Sequence, residues 1–179
     1  MNILVIPGSL RKASYNTALA YEAVQLAPKS MTIAVFTLHD IPLYNMDIEK
    51  EGFPESVMKL KNAVKEADGI LWMSPEHNHS VPGVLKNAID WVSRGANEWN
   101  DKPLAIGGAS DGIISTARAQ MHLLVIANTL NMHPMGRPLF QVPNAPKKFN
   151  EKGELIDEKT REKFTSFLQS FEAWVNRLR

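Results

Sequence analysis

Residues 69–91 read GILWMSPEHNHSVPGVLKNAIDW. GILWMS (69–74) is a short, nearly continuous apolar run, as in a strand buried on both faces. VLKNAIDWVSR follows Pro82 and Gly83 and reads as a helix started by them. The loop between, SPEHNHSVPG (74–83), carries two histidines, an acid and a proline near each end. Four readings of it stand side by side. His77 and His79 form a metal pair, but two ligands are not a site, and neither an HExxH nor a third ligand at a recognised spacing accompanies them. Glu76 or His77 acts as a general base, but no nucleophile goes with them. The segment is a turn whose polar residues satisfy one another. Or it is a shelf, stiffened by Pro75 and Pro82, on which Glu76, His77 and Asn78 offer backbone and side-chain edges to a heteroaromatic ring.

The same alternation extends in both directions. NILVI (2–6) reads as a strand, and the helix after it, with Leu19, Ala23 and Leu26 on one face, ends at Pro28. MTIAVF (31–36) is a second strand. Residues 37–54 have no clear period and read as a long ordered loop. ESVMKLKNAVKEA (55–67) is helical, with Val57, Leu60 and Val64 aligned. KPLAIGGA (102–109) is a fourth strand, followed by a helix from about Thr116 to Leu130. RPLFQV (137–142) is a fifth strand. The closing helix aligns Phe164, Phe167, Leu168, Phe171 and Val175. Strand and helix alternate five times. This predicts an α/β fold with a five-stranded parallel sheet and helices on both faces. With neither linker nor repeat, residues 1–179 read as one domain. The doubly wound order 2-1-3-4-5 fits, and it puts ligands beyond the carboxyl ends of the strands, at the loops after strands one, three and four.

The first of these loops, GSLRKASYN (8–16), suits a phosphate. Free N–H groups and the helix dipole face it, Arg11 adds a charge, and Ser9, Ser14 and Asn16 add polar donors. GxGxxG and GxxxxGK[ST] are both missing, so neither a dinucleotide fingerprint nor a triphosphate loop is expected. An ordinary serine cap with solvated cations is the plainer alternative. The third loop, GASDG (108–112), matches the G-x-S-x-G elbow of serine hydrolases. The acid and histidine that should follow Ser110 in order are not there: Asp111 adjoins the serine. A backbone that approaches a flat ligand closely explains the glycines better.

The chain has no cysteine, so thiol redox chemistry and disulfides are excluded, and redox work requires a borrowed cofactor. A net charge of +1 with mixed signs is not a nucleic-acid footprint. The N-terminal apolar run is too short to span a membrane, and a cytoplasmic protein is expected.

GSLRKASYN, PEHNHSVPGVLKNAIDW and GASDGIISTARAQ together resemble the NADPH-dependent FMN reductase family. The resemblance implies a flavodoxin-like fold and a homodimer or homotetramer. It implies FMN as cofactor, NADPH or NADH as electron donor, and quinones, azo compounds, chromate or free flavin as small acceptors. It assigns Ser9, Arg11, Ser14 and Asn16 to the flavin phosphate, and Pro75, Glu76, His77 and Asn78 to the ring. Ser110 and Gly112 would approach the flavin, with Tyr44 and Asp47 near a subunit interface. His77 stands where relatives usually carry tyrosine, Asp111 where proline is common, and Ser115 where glycine is common. Flavin chemistry asks for positioning rather than a nucleophile, so no strict catalytic residue and no metal ligand is expected. The rival function is a flavin-binding electron carrier or sensor that docks to a protein partner, against which the near-neutral charge argues. The helix after strand four is apolar almost all round, through Met121, Leu123, Leu124, Val125 and Ile126. It calls for a second subunit, or for a lid from residues 37–54.

Overall fold

Side chains alternate across each strand and so build two cores, one on each face of a single sheet. The computed structural model describes residues 1–179. Strand β1 (Asn2–Pro7) sends Ile3 and Val5 to one face and Leu4 and Ile6 to the other. Strand β3 (Gly69–Met73) divides Leu71 and Met73 from Ile70 and Trp72 in the same way. Helices α1 (Tyr15–Leu26) and α6 (Glu158–Leu178) cover the first face, with Leu19, Phe164, Phe167 and Phe171 fully buried. Helices α3 (Glu55–Glu66), α4 (Gly83–Ser93) and α5 (Ala117–Thr129) cover the second with Leu60, Leu85 and Leu123. Both β3 and β4 (Pro103–Ala109) are buried along their whole length, as central parallel strands must be.

With β2 (Thr32–Val35) at one edge, the parallel order is β2-β1-β3-β4-β5, as the alternation predicts. The fifth position differs in detail. Instead of one strand over 137–142, two short strands lie beside β4: β5 (His133–Pro134) at its start and β6 (Phe140–Val142) at its end. Pro138 has no N–H for the ladder, so the chain leaves the sheet between them. The long 37–54 segment also holds more order than expected. Helix α2 (Met46–Glu51) forms because the Asn45 side chain accepts the Asp47 N–H at 2.9 Å. No helix is long and apolar enough to cross a membrane.

The register fixes where a ligand meets the sheet. Pro7 pairs with Met73, and Met73 with Gly107, so the loops after β1, β3 and β4 leave from one row. Gly108 lets two of them touch. A Cβ there would lie 2.0 Å from the Ser74 carbonyl oxygen, so only glycine fits.

Candidate functional site

Three loops meet around a cleft of about 600 Å³ at the carboxyl ends of β1, β3 and β4. Ser9, Arg11, Ser14, Asn16, Pro75, Glu76, His77, Ser110 and Gly112 all line it. Asn78 does not; it faces an adjoining hollow of about 980 Å³. Tyr15, Val84 and Asp111 also line the cleft, without having been singled out as contacts. Tyr15 begins α1, and it lies under the Arg11 guanidinium at 5.0 Å from the ring centre.

The loop after β1 is held by Gly8, whose N–H donates to the Met73 carbonyl at 2.8 Å. Ser14 caps α1: its Oγ accepts the Thr17 N–H at 3.2 Å, and its carbonyl accepts the Ala18 N–H. The Tyr15 and Asn16 N–H groups then have no partner within the protein. The hydroxyl protons of Ser9 and Ser14 are equally uncommitted, because both oxygens act only as acceptors. Asn16 does something else with its side chain. Its Nδ2 donates to the Ala109 carbonyl at 2.9 Å and its Oδ1 accepts the Ala109 N–H at 2.8 Å. This buried pair ties the first loop to the end of β4. The Asn16 backbone N–H remains for a ligand, with one side-chain hydrogen already committed to Ala109.

The loop after β3 is a tight hairpin. His77 and Ser80 exchange N–H···O bonds at 3.0 and 2.9 Å, and Asn78 and His79 both have positive φ, at 49° and 62°. That combination belongs to the mirror-image two-residue turn. The side chain of Glu76 turns away from the turn to cap α5. Its Oε2 accepts the N–H groups of Arg118 and Ala119 at 2.9 and 3.0 Å. Its Oε1 lies 3.3 Å from His79 Nδ1. Burial raises the carboxyl pKa, but the Ala119 N–H, His79 and the Arg118 N–H together hold it below the usual carboxylate range. An ionised, fully bonded carboxylate is a poor general base. Glu76 meets the cleft mainly as a rigid wall.

The loop after β4 is shaped by Ser110. Its hydroxyl donates to the Ser115 carbonyl at 3.0 Å and accepts the Gly112 N–H at 3.2 Å. No imidazole reaches it; His122 Nδ1 contacts Ser80 Oγ instead, at 2.9 Å. The elbow reading therefore has no base to support it. Ser115 stands at φ 58°, in the left-handed region. Glycine adopts that conformation without cost, which accounts for the glycine expected there in relatives.

Tyr44 and Asp47 lie away from the cleft. Tyr44 donates to Glu49 at 2.7 Å and packs edge-on against Trp91. Its N–H donates to Asn87 Oδ1, and Asn87 and Trp91 both donate to the Pro42 carbonyl. The 37–54 segment is thereby fastened to α4 and leaves α5 uncovered.

A parallel sheet in this order, with uncommitted N–H groups at a helix start facing a glycine-lined slot, is a doubly wound α/β protein of the flavodoxin-like class. The family model for NADPH-dependent FMN reductases matches residues 1–147, and the chain belongs to that family. An NAD(P)H-dependent FMN reductase of Pseudomonas aeruginosa is 43% identical, with 100% of this chain and 97% of the relative aligned. A 2-hydroxy-1,4-benzoquinone reductase of a Burkholderia species is 38% identical, over 98% and 96% of the two chains. The solved flavoenzyme NAD(P)H:(acceptor) oxidoreductase of Paracoccus denitrificans superposes with a TM-score of 0.88 at 34% identity, covering 98% and 97%.

Proposed function

We propose that this chain binds FMN in the cleft and works as an NAD(P)H-dependent oxidoreductase for quinone-like small acceptors. The observation that carries the reading is the asymmetry of the cleft. One end has the free N–H groups of Tyr15 and Asn16, two serine hydroxyl protons and the Arg11 guanidinium. That donor set fits a phosphate. The other end is a slot between Pro75–His77 and Ser110–Gly112, which fits a flat ring. When bound, FMN supplies hydride acceptance from a nicotinamide and delivery to an acceptor.

The chain's own residues then position and exclude. Ser9, Arg11, Ser14 and the start of α1 hold the phosphate. Pro75 and the hairpin wall one side of the ring, with His77 exposed at its edge. Ser110 keeps the opposite loop folded, and Gly112 keeps it thin. No side chain is required as nucleophile or proton carrier, and no catalytic residue is assigned. Dependence on NAD(P)H favours the cytoplasm as its place of work. With two cores sharing one sheet, residues 1–179 act as a single domain.

The same reading includes self-association. Helix α5 buries Leu123 and Ala127 against the sheet and leaves Met121 and Val125 62% and 67% exposed. An apolar stripe this open fits a second copy of the chain, in a homodimer or homotetramer. The function is tested by anaerobic absorbance of purified protein mixed with FMN. Retained flavin bands that bleach with NADPH or NADH and return with a quinone are expected. Protein that neither retains FMN nor oxidises NAD(P)H overturns the proposal.

A further inference from the structure

Beside the cleft lies the hollow that Asn78 faces, and its lining has a chemistry of its own. Ile113 and Ile114 present apolar side chains that are 84% and 53% exposed. Arg118 rises from the first turn of α5, and one of its guanidinium nitrogens, Nη1, lies 2.9 Å from His79 Nδ1. The rest of its guanidinium has no hydrogen-bonded partner. Its nearest carboxylate oxygen, Glu76 Oε1, is 4.0 Å away. Glu76 is the single carboxylate in the hollow; its Oε2 is bonded by two backbone N–H groups of α5, and its Oε1 makes only this long ion pair with Arg118 and the contact with His79. The Asn78 amide also has no partner. A second, independent observation concerns Ser115. Its residue is only 6% exposed, it lines the hollow, and its Oγ is buried with no hydrogen bond. A buried hydroxyl without a partner is costly unless a bound group satisfies it.

We propose that this hollow is the subsite for an anionic group carried by a flat aromatic ligand of the cleft. The ring edge lies over Ile113 and Ile114. A sulfonate, carboxylate or phosphate meets the guanidinium fork of Arg118, with Asn78 and Ser115 as further donors. The hollow and the cleft share Glu76, Ser110 and Gly112, so one ligand spans both. Two sources supply such an anion: the acceptor, or the 2′-phosphate that distinguishes NADPH from NADH. The subsite deepens the reductase reading given above and rests on it.

The test titrates FMN-loaded protein by calorimetry with anthraquinone-2-sulfonate and with 2-(hydroxymethyl)anthraquinone, which differ in charge at one position. Arg118→Met is expected to weaken the sulfonate about tenfold relative to the alcohol, the loss of one charge-assisted contact. Arg118→Lys keeps part of that preference, and Ser115→Gly reduces it. Steady-state KM values for NADPH and NADH on the same variants identify the source. A selective loss for the sulfonate assigns the anion to the acceptor, and a selective loss for NADPH assigns it to the nucleotide. Equal changes for charged and uncharged ligands in both arms overturn the subsite. If the protein takes up no FMN, the reductase reading fails instead, and the paired titration of the flavin-free chain still decides the subsite.

Discussion

Single side chains decide whether the cleft exists at all. Asn16 was expected to hold a phosphate through its amide, but it bridges to both polar atoms of Ala109. Asn16→Ala leaves those two buried groups unpaired. The expected cost is about 2 kcal/mol in urea unfolding, together with weaker FMN binding as the first loop loosens. Glu76 gives a prediction with a definite pH sign. Its folded pKa lies below the ordinary carboxylate value. Its contribution to stability is therefore complete above the unfolded pKa, and is lost as pH falls through the folded one. Glu76→Gln is expected to destabilise by about 1 kcal/mol at pH 7, the usual worth of a helix cap. The gap to the parent protein should shrink in acid and close below the folded pKa. A gap that is constant with pH would show that the charge is irrelevant there.

At the scale of elements, helix α5 carries three duties at once. It closes one core, receives the Glu76 cap and presents Arg118. Its outer stripe supports the association argument. Met121→Lys with Val125→Glu places charge on that stripe while leaving Leu123 and Ala127 in the core. Sedimentation velocity at micromolar concentration is expected to shift from dimer or tetramer toward monomer, with helix content unchanged. A parent protein that is already monomeric would sink the idea. The competing explanation, a lid from residues 37–54, does not fit the observed packing. Pro42 and Tyr44 bind that segment to Asn87 and Trp91 of α4. Lys61 strengthens the same corner by donating to the carbonyls of Val92, Arg94 and Ala96 at 2.7–2.9 Å.

For the whole molecule, FMN at one hundred times its Kd should stabilise the fold by about 2.7 kcal/mol through mass action. For a chain of this size that raises Tm by roughly 5–10 °C, readable by calorimetry. An unchanged Tm in saturating FMN would contradict the assigned cleft. Sheet order and the three loops were legible from sequence, because apolar runs such as GILWM and helical stripes such as Val57–Leu60–Val64 are local signals. The split of the fifth position and the Asn45 cap of α2 were less visible, since each turns on one residue inside an otherwise unpatterned stretch. The bridge from Asn16 to Ala109 and the hollow around Arg118 were not legible at all. Both depend on residues brought together by tertiary packing, and neither Asn nor Arg announces its partner. That bridge spans 93 positions of sequence. On a ribosome the first loop emerges early, but it cannot be clamped until the end of β4 has followed it out and docked. If the cleft is the FMN site proposed above, cofactor capture is expected late in biogenesis. A nascent chain stalled before Ala109 clears the exit tunnel has the loop proposed for the phosphate in hand and no second jaw to close on it.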